Sequence, residues 1–136
     1  MADEIKPELA PAPGIAEIEA LARQTLKTIP RRLRRYVEPV VIRVEDFPDA
    51  WTAWEMGLGS PFDLLGLYRG VPLMAKSVFD PSPNIDMIFL YRRPILAFAA
   101  RSGDSLGAVV RHVLIHEIGH HFGYSDAEMA AINAEP

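Results

Sequence analysis

The sequence predicts an α+β domain, and three observations carry that prediction. Apolar residues recur at helical spacing near both ends of the chain. β-Branched and aromatic runs occupy the middle. No internal repeat or second apolar core divides the 136 residues, so helices first, strands in the middle and helices last make one small layered unit.

The elements follow in order. In GIAEIEALARQTLKTI, Ile15, Ile18, Leu21, Ala22 and Leu26 mark an amphipathic helix, ended or offset by Pro30. RRLRRYV reads as a short second helix, and VVIRVED, residues 40–46, as a strand. DAWTAWEMG is either a short helix or a loop with two tryptophans packed beneath it. LLGLYRGVPL reads as a short strand followed by a Gly-Val-Pro turn. NIDMIFLYRR is a further strand, bounded upstream by the breaker cluster DPSPN. As the edge of a sheet it could pair with an extended peptide, and an interior position is equally compatible. PILAFAARS is a helix with Pro94 in its first turn. DSLGAVVRHVLIHEIGHHFG is the longest helix, with Asp104 as N-cap and Gly123 as its stop. Ser125 and Glu128 then open a last helix, DAEMAAINA, as a capping box.

Composition narrows the function classes. Hydrophobic residues make up 49% of the chain, enough for a core, and the absence of cysteine excludes disulfides and thiol chemistry. The net charge of -4 argues against a nucleic-acid partner. The start, MADEIKPELAPAPG, is acidic and proline-rich and has no apolar stretch, unlike a signal peptide. Residues 1–13 are therefore expected to form a flexible tail and residues 14–136 one domain. No apolar run approaches the roughly 20 residues that span a bilayer. The expected setting is cytoplasmic, without a membrane partner.

Chemistry concentrates in HEIGHHFGYSD, residues 116–126, which holds three of the four histidines. On a wheel of 100° per residue, His116 and His120 lie about 40° apart and Glu117 falls in the same roughly 100° arc. His121 points about 140° from His116, which gives it a structural or solvent-facing place. The helix has no broad polar face, so these side chains lie largely among apolar neighbours and need a partner. A divalent cation satisfies two imidazoles four residues apart, and zinc accepts imidazole nitrogen readily. Glu117 is then aimed at a water on the metal, as a general base. This is the content of His-Glu-x-x-His. The chain continues through Gly123 to Asp126, matching His-Glu-x-x-His-x-x-Gly-x-x-His with aspartate in the last place. Gly123 can take positive φ and turn the chain back, so Asp126 can supply a third ligand. Asp126 also suits the first turn of the last helix on dipole grounds alone, but the Gly-x-x-Asp spacing favours the ligand role.

HEIGHHFGYSDAEM, with LLGLYRGVPL and IFLYRRPIL upstream, resembles the short bacterial zincin-like metallopeptidase domains, sometimes called minimal zincins. The resemblance covers most of residues 15–133. It implies a compact zincin-like fold with a small sheet beside a buried active-site helix. It implies Zn2+ held by His116, His120 and Asp126, with Glu117 as base, and a peptide or protein substrate. Larger metzincins continue to a distant methionine turn. Here Met129 is the only methionine after the motif, and it reads as a core residue of the last helix.

Two other functions fit the same residues. A structural zinc could lock the last two helices in a non-enzymatic partner-binding module, a reading favoured if His112 fills a fourth ligand place. A zinc hydrolase of small amides would need a closed pocket instead of a groove. Tyr68, Tyr91, Tyr124, Arg92 and Arg93 are the residue types able to stabilise an oxyanion, and the sequence does not choose among them.

Overall fold

The computed structural model describes residues 12–34, 40–72 and 84–135. Among them are six helices and a three-stranded sheet. In order they are α1 (Ile15–Leu26), α2 (Arg31–Arg34), β1 (Val41–Glu45), α3 (Ala50–Glu55), β2 (Gly66–Pro72), β3 (Asn84–Tyr91), α4 (Arg92–Ser102), α5 (Leu106–His121) and α6 (Asp126–Asn133), with a 3-10 turn at Pro61–Asp63. This is the α+β domain expected, with a small sheet beside a buried helix. The expected tail lies outside the described residues up to 11, as do the end of RRLRRYV and the cluster before β3.

β3 is the central strand. It pairs parallel with β1, in the register Ile42↔Ile88, and antiparallel with β2, in the register Tyr68↔Ile88. The edge reading of IDMIFLY is therefore corrected, because both its neighbours are occupied. Among the described residues, the unpaired edge beside α5 belongs to β2. The Gly-Val-Pro turn is also corrected. β2 runs on through Pro72, which pairs with Asn84. Proline lacks an N–H for a ladder, and the end of an edge strand tolerates that.

One face of the sheet is buried. Ile42, Val44, Tyr68, Ile88 and Leu90 point to it, and α1 and α5 cover it with Ile18, Ala22, Val110, Leu114 and Ile118. Each large aliphatic side chain buried there stabilises the fold by about 1.5–3 kcal/mol relative to exposure. Helix α5 is buried through most of its circumference, as its pattern predicted, and Ser105, one residue after the expected Asp104, caps it by accepting from the Ala108 N–H. Helix α4 starts at Arg92, two residues before Pro94. α3 is a helix, and both of its tryptophans are exposed where the loop reading had them packed beneath. No helix among the described residues is long and apolar enough to cross a membrane.

Candidate metal centre

Two close approaches position α5. On one side, a Cβ at Gly66 would collide with Val113, so β2 lies tight against the middle of the helix. On the other, a Cβ at Gly119 would collide with Sδ and Cγ of Met129, which is fully buried on α6. Gly119, an unassigned place within His-Glu-x-x-His, is thus what lets α6 dock. Gly123 has φ of 81°, and the Tyr124 N–H donates back to the Gly119 carbonyl, 2.8 Å away. The helix stops there and the chain reverses. Ser125 and Glu128 form the expected capping box. Asp126 therefore sits in the first turn of α6, beside the last turn of α5.

The histidines form a row along α5. The rings of His112 and His116 are 4.9 Å apart and tilted by 46°. Those of His116 and His120 are also 4.9 Å apart, edge to face. Asp126 Oδ1 is 3.6 Å from His120 Nε2. His120 and Asp126 are open to solvent, with side chains 56% and 89% exposed. His116 is half-buried. Burial holds its imidazole below the usual value, helped by His112 and His120 and opposed by Asp126. A neutral imidazole is the form that binds metal. The donor set fits zinc in kind: two imidazole nitrogens and a carboxylate oxygen. In placement, neighbours are brought together in pairs. No three such donors among the described residues form one group able to hold an ion.

Glu117 stands apart from this row, toward β2. Its Oε1 accepts the Tyr68 N–H at 3.2 Å, a bond from the outward-facing backbone of the edge strand. Burial pushes its carboxyl above the ordinary range, against the pull of that N–H and of His120. The side chain is thereby oriented and its basicity raised, which are the two requirements of a general base. Nothing in the pattern of β2 announces this bond, because the donor is main chain.

Two cavities flank His116. One, of about 220 Å³, lies between α5 and α6 and is lined by His112, Ile115, His116, Asp126, Met129 and Asn133 among others. The other, of about 230 Å³, is walled by Leu65, Phe98, Val113, His112, His116 and Glu117. The second places apolar walls against the proposed base. His112 is exposed, and its Nδ1 lies 3.5 Å from Asn133 Nδ2. His121 is exposed and stacks on the Tyr68 ring, with centroids 3.9 Å apart. Among the oxyanion candidates, the Tyr68 hydroxyl donates to Asp86, Arg92 is tied to Asp46 and the Pro13 carbonyl, and Tyr91 is buried. Tyr124 is half-buried in a separate surface hollow with Phe122, Gly123 and Glu128.

Among solved structures, a conserved hypothetical protein from Thermus thermophilus is similar. It is 22% identical, covering 80% of this chain and 94% of its own, with a TM-score of 0.51, a likeness of fold. No curated protein matches. The model of the zincin-like metallopeptidase family matches residues 37–135, which span all three strands and the whole of α5 and α6. The chain belongs to the zincin-like metallopeptidase family.

Proposed function

We propose that the chain is a zinc-dependent peptidase in which His116, His120 and Asp126 hold the metal and Glu117 is the general base. The zinc would supply Lewis acidity, lowering the pKa of a water and polarising a carbonyl. Glu117 takes a proton from the attacking water as its oxygen bonds to the scissile carbonyl carbon. It then delivers that proton to the departing amide nitrogen as the C–N bond breaks. The Tyr68 N–H holds the carboxylate in place through both transfers. The cavity walled by Leu65, Phe98 and Val113 beside Glu117 suits an apolar side chain of the substrate. Because that cavity and the edge of β2, unpaired among the described residues, both border α5, an extended peptide suits the site better than a small amide.

The observation that carries this reading is the half-buried carboxylate of Glu117, oriented by the Tyr68 N–H and sharing a cavity wall with His112 and His116. Glu117→Gln is the test. With zinc supplied and a peptide library as substrate, cleavage falls by about 10²–10⁴-fold while the fold is kept. Undiminished cleavage by that variant removes Glu117 from the mechanism. The second reading, a structural zinc in a binding module, draws on His112, whose ring is as near His116 as that of His120. Four protein ligands and no cleavage by the wild-type chain would favour it.

A further inference from the structure

Helix α3 carries both tryptophans of the chain, and both face solvent. Trp51 is 61% exposed and Trp54 74% exposed, with ring centroids 5.2 Å apart. Met56 and Phe62, nearby in sequence, are exposed as well. The helix is anchored from its other side, where Thr52 is buried. A six-residue helix that places two indoles in water loses the stabilisation their burial would give.

The same segment is acidic. Residues 44–68 contain Glu45, Asp46, Asp49, Glu55 and Asp63, and no lysine, arginine or histidine. Flanking arginines pair with three of them: Arg43 with Glu45, Arg92 with Asp46 and Arg69 with Glu55. Asp49 and Asp63 accept from backbone N–H groups of Thr52 and Ser60, and neither has an ion pair among the described residues. The field reaches Tyr91, whose hydroxyl is pushed up to about 12, first by burial and then by Glu45 and Asp49.

We propose that Trp51, Trp54 and the carboxylate of Asp49 form a docking surface for a lysine- or arginine-bearing peptide segment of another protein. Cationic side chains stack on exposed indole faces, and exposed tryptophans are the residues that anchor interfaces. Asp49 and Asp63, the two carboxylates of the segment without an ion pair among the described residues, favour a cation over the phosphates of an anionic bilayer or a nucleic acid. A second copy of this chain would bring the same acidic face. The surface lies on α3, outside the residues assigned to the metal, so the proposal stands without the peptidase reading.

The test uses the full chain and three unstructured nonapeptides of lysine, serine and glutamate. Because Trp51 and Trp54 are the chain's two tryptophans, intrinsic emission reports the patch directly. The lysine peptide saturably changes the emission, and the other two leave it unchanged. By anisotropy of a labelled lysine peptide, the Trp51→Ala/Trp54→Ala variant binds about tenfold more weakly, as expected for loss of two cation–π contacts. Asp49→Asn, which preserves the helix cap, also weakens binding. Equal affinity of the double variant and the wild type overturns the proposal, leaving net charge alone. So does an emission change with phosphatidylserine vesicles and none with the lysine peptide, or concentration-dependent dimerisation abolished by the double variant.

Discussion

Helix α5 sets one half-buried histidine, His116, and the half-buried carboxylate of Glu117 against apolar side chains, whereas α3 sets two tryptophans in water. The two helices depart from the burial rule in opposite directions. In α5 the core pays for the departure, since Val110, Leu114 and Ile118 fix the helix and Glu117 finds a partner in the backbone of β2. In α3 the anchoring is slight: a buried Thr52, an aspartate cap and the Glu55–Arg69 pair. The difference teaches that a half-buried carboxylate needs a packed helix behind it and a donor in front, while exposed indoles need only a foothold.

The contrast can be broken at α5 most forcefully. Gly119→Val drives a branched side chain into the fully buried Met129 and is expected to cost about 1–3 kcal/mol in urea unfolding. It also shifts α6, and with it Asp126. An unchanged midpoint would mean that the docking of α6 does not depend on that close approach.

A smaller effect sharpens the electrostatic half of the comparison. In metal-free protein, the raised pKa of Glu117 means that the folded state binds its proton more tightly than the unfolded state does. Its contribution to stability is therefore fullest below the unfolded carboxylate range and is lost as pH rises through the folded value. Glu117→Gln should accordingly be more stable than wild type near pH 8 in the presence of chelator, with the gain shrinking as pH falls toward 4. A variant less stable at pH 8 would show that the Tyr68 bond outweighs desolvation of the charge.

The smallest effect is expected at α3. Trp51→Ala and Trp54→Ala, each singly, should change unfolding free energy by no more than about 0.5 kcal/mol, because little burial is lost. A loss of 3 kcal/mol in either would place that indole in the core and end the contrast.

Much of α5 could be read from sequence because packing dictates spacing. The helical spacing of its apolar residues and the glycine that stops it at positive φ leave a pattern in the order of residues. The buried circumference of that helix was legible from its lack of a polar face. What supports the site was not. The Tyr68 bond to Glu117 uses a main-chain N–H, and every residue but proline carries one. Gly119 stands at an open place of the motif, and the side chain that excludes a Cβ there, Met129, lies ten residues on. The interior place of β3 and the extension of β2 through Pro72 depend on pairing partners that single-strand patterns do not encode. The exposure of Trp51 and Trp54 runs against their hydrophobicity, and no local pattern separates a core tryptophan from a docking one.

The central claim is that His116, His120 and Asp126 together bind zinc. Metal analysis of the protein dialysed against limiting zinc tests it most directly, with wild type and Asp126→Ala compared side by side. The account predicts about one zinc per wild-type chain and a clear loss in the variant, with Asp126→Glu partly restoring it. Equal zinc in wild type and Asp126→Ala would contradict it and return Asp126 to the first turn of α6 as a helix-stabilising charge.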